Sequence, residues 1–334
     1  MSERQPPRPE EGSAALDRRI IAALQIRPRA TWAALADALG ESARSVSRRG
    51  TELLASGTVR VVGVRGVTGT AIARVRPAVG ATRTVASGLA ARPYTVFSYA
   101  TTGAHSVFAE LRIDAEVCAG LVFDELPSVN GIADLRIDTV TRNHRSVSEW
   151  RPDVLTPAET AALGESGRPP LPPQTAPHGE LSPSDRVLLR LLADDARIST
   201  ADLAAHSRVS ENTVRRRLAW LEQHSYLRIR VVAEPELLGF PVEALVVLTA
   251  ARGASDRLVA GLLARTETRY LSALGGDRHL LAHFACRDLA ALHAELTSAP
   301  WTAEAESFEV SHVLQAFKRS GWSRAQDAAT AHLY

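Results

Sequence analysis

The chain has one lysine, Lys318, among its 39 basic residues, and only two cysteines, Cys118 and Cys286, in 334 positions. Two cysteines exclude a disulfide framework and a four-cysteine metal site, and they fit a reducing compartment. No apolar run approaches the roughly 18 residues of a membrane span. The polar, proline-rich stretch from Met1 to Ala15 has no apolar segment of the signal-peptide kind. No Walker loop, dinucleotide fingerprint, nucleophile elbow or HExxH pattern occurs. His144, His283 and His312 are candidate site residues, but they share no metal-ligand spacing. No enzymatic activity, cofactor or metal is therefore expected. The near-absence of lysine runs along the whole chain, so it reads as a coding bias more than as a choice of guanidinium at a site. Net charge is only +2, so the placement of arginine carries more information than its total.

What is present is a core-forming composition, 45% hydrophobic, at a length that suggests two or three domains. A long internal repeat organises it. From Leu16-Asp17-Arg18 and Ser184-Asp185-Arg186 onward, an offset of 168 holds without a gap for about 45 residues: Leu24 with Leu192, Arg29 with Arg197, Ser42 with Ser210, Val46 with Val214, Arg48-Arg49 with Arg216-Arg217, and Arg60 with Arg228. Looser similarity continues beyond, for example between 81–92 and 254–265. The chain is thus two copies of one unit, each a small head and a larger body. Five prolines within 164–180 forbid an ordinary helix or central strand and predict an extended linker.

Each head reads as a winged helix-turn-helix unit. In copy two, Ser182 or Ser184 caps a first helix with Val187, Leu188, Leu191 and Leu192 at helical spacing. Ser199 or Thr200 caps a short second helix, and Ser210 caps a third that buries Val214, Leu218 and Leu221. Residues 226–232 alternate as a strand. Copy one repeats the pattern, except that Gly50 stands where copy two has Leu218. That loss of a core side chain, with about 1 kcal/mol of helix propensity, predicts a weaker first head. Arginine concentrates on both third helices and following strands: residues 44–60 carry +3 and 208–230 carry +4, while the bodies are net acidic. This is the electrostatic footprint of a polyanion partner.

The bodies read as β-α-β-β-α-β, a ferredoxin-like order in an α+β fold, with strands at 70–76, 94–100, 106–113 and 133–142 and again at 244–250, 269–273, 279–285 and 307–317. The uncovered sheet face of one body is expected to be covered by the other. Glycine-containing loops between the second and third strands offer Thr102, Gly103 and His105, and Gly276, Asp277 and His279, as effector-binding candidates.

The segment Val209-Ser210-Glu211-Asn212-Thr213-Val214, followed by Arg217-Leu218, Leu221-Glu222 and Leu227, resembles the Lrp/AsnC (feast/famine) family of transcription regulators. Arg29 and Arg197 sit where that family places an arginine before its second helix. The resemblance implies a tandem-duplicated, cytoplasmic, nucleoid-associated regulator of double-stranded DNA, with homo-oligomers formed through the bodies and a small-molecule effector. It divides the chain into a tail (1–15), head one (16–65), body one (66–163), linker (164–180), head two (181–232), body two (233–322) and a second tail (323–334). The implied DNA contacts are Arg44, Ser45, Arg48, Arg49 and Arg60 in copy one. In copy two they are Ser210, Asn212, Thr213, Arg215, Arg216, Arg217, Arg228 and Arg230, with Arg60, Arg228 and Arg230 on phosphate. Siroheme decarboxylases are similar to the same family, which gives a tetrapyrrole enzyme as an alternative. A protein-interaction scaffold is another.

Overall fold

The computed structural model describes residues 9–64, 69–113, 118–164, 179–275 and 279–323. Residues 1–8 and 324–334 of the expected tails, most of the proline-rich linker, and Gly276 and Asp277 lie outside the described residues, whereas residues 9–15, expected as tail, belong to the first helix. Head one consists of α1 (Pro9–Ile26), α2 (Trp32–Leu39), α3 (Ala43–Ala55) and β1 (Arg60–Val64). Body one follows as β2 (Thr70–Pro77), α4 (Thr82–Ala90), β3 (Thr95–Thr101), β4 (Val107–Arg112), α5 (Cys118–Gly120) running into a π-helical turn at Leu121–Glu125, and β5 (Ile132–Arg145). A short α6 (Pro157–Ala162) precedes head two, which is α7 (Pro183–Asp194), α8 (Thr200–Ser207), α9 (Glu211–Gln223) and β6 (Arg228–Val232). Body two is β7 (Val242–Ala250), α10 (Ser255–Leu263), β8 (Thr268–Leu274), β9 (His279–Cys286), α11 (Leu289–Thr297) and β10 (Ala305–Arg319), ending in the short β11 (Trp322–Ser323).

Local chemistry sets the helix starts. Ser42, Ser182, Ser199 and Ser210 are extended N-caps whose hydroxyls accept from the backbone N–H three residues on, satisfying donors that the first turn leaves unpaired. In copy one, α2 ends on Gly40 with φ 64°; the matching position in copy two is Arg208, with φ 57°. The turn after each third helix also uses positive φ, at Gly57 and at the matching Ser225. Head one is not shortened by Gly50: α3 and α9 are both 13 residues long. The ring of Trp32 on α2 fills the space, so close that a Cβ on Gly50 would lie 2.4 Å from it. Copy two makes the reverse exchange, with Thr200 and Leu218 at these two positions.

The strand following each third helix is not a separate wing. β1 and β6 pair with each other, antiparallel, from Arg60 opposite Val232 to Val64 opposite Arg228. A reciprocal clasp reinforces this ribbon. The Arg29 guanidinium donates to the carbonyls of Ala196 (2.5 Å) and Ile198 (3.0 Å), and Arg197 donates to those of Pro28 (2.6 Å) and Ala30 (2.9 Å). The two arginines that the repeat aligns therefore hold the two heads together.

The bodies likewise do not pack as two separate sheets. Their strands join edge to edge in the order β10-β3-β4-β2-β5-β8-β9-β7, and β7 pairs back to β10, closing an eight-stranded antiparallel barrel. Closure follows from strand length. β5 has 14 residues and β10 has 15, well beyond the usual five or six. Residues 132–139 of β5 pair with β2 of their own body, while 140–145 pair with β8 of the other. β10 does the same with β7 and β3. Each crossing strand is latched at its end. Arg145 donates to the carbonyls of Leu263, Arg265 and Thr268 near the end of α10. Lys318, the lone lysine, donates to the Arg92 carbonyl just past α4, at 2.7 Å.

Strand alternation then divides the side chains between two faces. The outer face packs under the helices: Ala73, Val75, Ala109 and Leu111 with Val85 and Leu89 of α4, and Val246, Leu248, Leu280 and Phe284 with Leu258 of α10 and Leu292 of α11. The inner face holds Ile72, Phe97, Tyr99, Phe108, Leu245, Tyr270 and Leu281.

Candidate nucleic-acid interface

The third helix of each head offers one face to its own core and the other to solvent. Val46 and Leu53 on α3, and Val214 and Leu221 on α9, are buried. Arg44, Arg48, Arg215 and Arg216 are exposed. Arg48 pairs with Glu52 at 3.0 Å and Arg215 with Glu211 at 2.7 Å, with Asn212 Oδ1 accepting a further bond from Arg215 at 2.9 Å. Exposed pairs of this kind contribute about 0–1 kcal/mol, so a stronger anion can displace them. Arg44 and Arg216 make no ion pair among the described residues. The Ser45 and Thr213 hydroxyls lie 2.8 and 3.0 Å from the cap hydroxyls of Ser42 and Ser210, at the N-terminal ends where helix amides favour phosphate. Arg208, exposed in the turn before α9, is an additional cation that sequence reasoning left off the DNA face.

Arg49 and Arg217 sit differently. Arg49 Nε donates to Asp17 Oδ1 at 2.8 Å, and Arg217 Nε donates to Asp185 Oδ1 at 2.7 Å, each with a second bond that makes the pair bidentate. Asp185 is fully buried. Against the burial that would raise it, the Arg217 guanidinium and the Ser182 hydroxyl and amide hold its carboxyl below the usual range. Arg217 also covers the Trp220 ring at 4.1 Å. These two repeat-matched arginines tie the third helix of each head to its first, which occupies their donors within the fold.

The strand arginines are also placed away from a phosphate-gripping wing. Because β1 and β6 form one ribbon, Arg60 lies over the Trp322 ring at 4.7 Å. Arg230 turns toward the barrel, where burial pushes its pKa down to about 10. Arg228 is half-buried in the same ribbon.

The effector candidates are not gathered into one site. Thr102 exchanges bonds with the backbone of His312, 2.9 Å in each direction. Gly103, at φ 96°, faces the Ser311 hydroxyl. His105 Nε2 is 3.8 Å from Asp134 Oδ2. His279 is exposed, 3.3 Å from the Thr249 hydroxyl. The first loop is thus stitched to β10, and Gly275 of the second is stitched to Thr139 of β5, so each loop closes a barrel seam. His144 is half-buried, and burial beside Arg142 lowers its pKa.

Inside the barrel lie polar residues that sequence reasoning passed over, together with His283, which it had weighed as a site residue. Glu243 on β7 accepts from Arg319 of β10 and faces His283 of β9 at 2.9 Å and Arg269 of β8 at 3.5 Å. Burial pushes the His283 imidazole down to about 4, so it is neutral at pH 7. The surrounding cations keep Glu243 well below the usual carboxylate range despite its burial. Across the interior, Tyr270 donates to Glu110 Oε1 at 3.2 Å, and burial raises the Glu110 pKa. A charged residue inside an otherwise apolar strand, as in HLLAHFAC or TRYLSAL, was the available sequence signal. Among the described residues, no group of three His, Cys, Asp or Glu side chains could hold a metal ion, and no helix is long and apolar enough to cross a membrane.

Comparison with known proteins agrees with the duplicated heads. The AsnC-type helix-turn-helix domain matches at residues 15–53 and again at 181–222. An uncharacterized HTH-type transcriptional regulator from Pyrococcus horikoshii is 25% identical over 154 residues, covering 45% of this chain and 98% of the relative. The crystal structure of the siroheme decarboxylase NirDL shares the fold over 90% of this chain and 93% of its own, with a TM-score of 0.56 at 12% identity. Its co-complex with an iron-uroporphyrin III analogue gives 0.55 at 14% identity, over 91% and 93%. An AsnC-type helix-turn-helix domain thus heads each half of a duplicated sequence.

Proposed function

We propose that this protein is a sequence-specific regulator of transcription that binds double-stranded DNA through α3 and α9. The observation that carries this reading is the set of exposed guanidinium groups on the outer faces of the two recognition helices, Arg44 and Arg48 on one and Arg215 and Arg216 on the other. The two helices differ in sequence, so their half-sites differ and the operator need not be a palindrome. Ribbon and clasp fix one head against the other, and half-sites a helical turn or a multiple of it apart suit heads facing one side of the duplex. Asn212, Ser210, Thr213 and Ser45 complete the contact surface. Arg49 and Arg217 support it from within their heads. We read each half of the barrel as a ferredoxin-like unit whose partner is the other half, so the chain is a fused equivalent of a dimer. Further assembly through the outer helices, a small-molecule effector held by the bodies, and a cytoplasmic, nucleoid-associated location belong to the same reading.

Fluorescence anisotropy tests it. The probe is the DNA immediately upstream of the protein's own gene, with a scrambled duplex beside it, across a salt series. Tight, selective binding with a steep salt slope is expected. Equal, weak binding to that probe, to the scrambled duplex and to a pool of genomic fragments overturns it. The NirDL likeness extends over both halves of this chain, which favours tetrapyrrole chemistry as the second reading. A visible absorption change on adding an iron tetrapyrrole is its test.

A further inference from the structure

We propose that the barrel encloses a binding site for the carboxylate of a small organic acid, reached through an arginine-lined cleft beside head two. The interior holds a cavity of about 60 Å³ lined by Arg112, Arg230, Arg269, Arg319, Glu110 and Tyr270, among others. At about 10–15 Å³ for each water-sized probe, that is room for a few waters or for a carboxylate headgroup. Four guanidinium groups face one carboxyl, and burial shifts that carboxyl, Glu110, toward its neutral form.

The charges are unevenly answered. Arg319 is held by Glu243 at 3.0 Å and by Glu234 at 2.8 Å. Arg269, only 4% exposed, has Glu243 no nearer than 3.5 Å, and its Nε has no hydrogen-bond partner. Arg230 Nε has none either. Buried guanidinium N–H groups without acceptors are costly, and an anion placed among them supplies the missing acceptors with charge-assisted bonds.

The other copy of the repeat does without arginine at the matching positions. A β-bulge interrupts β3 between Thr95 and Phe97 and interrupts β8 between Thr268 and Tyr270. These matching bulges align Val96 with Arg269. In the same register Ala285 matches Arg112 and Ser146 matches Arg319, and in the heads Val62 matches Arg230. Each cation of the cavity thus has an uncharged counterpart in the other copy.

A second, larger cleft adjoins the cavity on one side. This cleft of about 870 Å³ shares Val64, Arg112 and Ser320 with the cavity and adds Arg60, Arg186, Arg190 and Trp322 at its mouth. Arg186 and Arg190 are exposed, one turn apart on α7, and make no ion pair among the described residues. Such a funnel concentrates anions at its narrow end. The carboxylate reaches Arg269 and Arg230 while the rest of the molecule lies in the cleft. Val64 of β1 and Arg230 of β6 both line the cavity, so the ligand touches the ribbon that joins the heads. The resulting coupling to DNA rests on the proposed regulatory function; the binding site itself does not.

Isothermal titration of the full chain with benzoate and acetate, at constant ionic strength and with chloride and benzyl alcohol as controls, tests the site. One saturable benzoate site per chain, competed by acetate, is expected. Arg269→Met and, on a separate element, Arg230→Gln each weaken it at least about tenfold, the loss of one charge-assisted interaction. The melting temperature of ligand-free Arg269→Met does not fall below that of the parent, because the change removes a poorly answered cation. No saturable carboxylate binding, or binding unchanged in both variants, overturns the site. A marked loss of stability in Arg269→Met with benzoate affinity kept in Arg230→Gln makes the arginine a structural one and overturns it too. Saturable binding that leaves DNA affinity unchanged supports the site and overturns the coupling.

Discussion

The exchange of Trp32 and Gly50 for Thr200 and Leu218 makes a test in which one substitution has opposite signs in two backgrounds. Gly50 lies in the middle of α3, where alanine gains about 1 kcal/mol of helix propensity over glycine. In the parent protein its Cβ would lie 2.4, 2.5 and 2.9 Å from three carbons of the Trp32 ring, which no rotamer adjustment of alanine can relieve. Overpacking of this kind costs about 1–3 kcal/mol, so Gly50→Ala is expected to lose up to about 2 kcal/mol net. Trp32→Thr, the copy-two residue, empties the space and removes the ring under Arg197, 4.3 Å away. Alone it costs a few kcal/mol. In that background Gly50→Ala meets no ring and gains about 1 kcal/mol, and Gly50→Leu gains more by refilling the core as Leu218 does. The coupling between the two positions is then about 1–3 kcal/mol. Urea unfolding of the full chain, followed by far-UV circular dichroism for the four members of the cycle, reads it directly. Stabilisation by Gly50→Ala with Trp32 in place, or additivity within about 0.5 kcal/mol, refutes the reasoning.

Four further outcomes follow from the same structure. Arg216→Ala lowers specific DNA affinity by about 1–3 kcal/mol if the guanidinium forks a base, and anisotropy on operator and scrambled DNA separates that from a phosphate contact, which weakens both alike. Arg217→Ala instead leaves the buried Asp185 carboxylate without its cation, and is expected to cost about 3 kcal/mol or more in the unfolding of head two, seen as a lower urea midpoint before any DNA is added. Arg208→Gly removes a left-handed side chain and stabilises by up to about 1 kcal/mol while reducing the salt slope of DNA binding by about one charge; a lower melting temperature would count against it. Burial beside Arg112 lowers the Lys318 pKa to about 8 from 10.5, so between those values the unfolded chain binds more protons and stability rises with pH. Lys318→Met removes that rise, and thermal melts from pH 7.5 to 10.5 measure it.

Much of the molecule was legible because the code there is local. The repeat, the serine caps and the apolar spacing of Val214 and Leu221 specify three helices without reference to anything distant. The alternating strands of each body were readable for the same reason. The pairing of Arg49 and Arg217 with Asp17 and Asp185 was not legible, because a third-helix arginine reads the same from sequence whether it faces DNA or a carboxylate 32 residues earlier. Gly50 reads from sequence as a lost core residue, and only the packing of Trp32 against it shows the space filled, since side-chain volume is shared across a contact that no local pattern reports.

The sequence by itself determined two copies of a three-helix head and a β-α-β-β-α-β body, a basic third helix in each head, and an uneven arginine distribution. Caps, periodicity and charge act over a few residues, which is why they could be read. Tertiary structure alone decided that β1 pairs with β6, that the long fourth strands cross over to close one barrel, and that charged groups from five different strands meet at its interior. Those outcomes depend on which edge finds which partner. Backbone hydrogen bonding is the same for every residue type, so the choice is made by the whole set of packed faces and not by any segment of the chain.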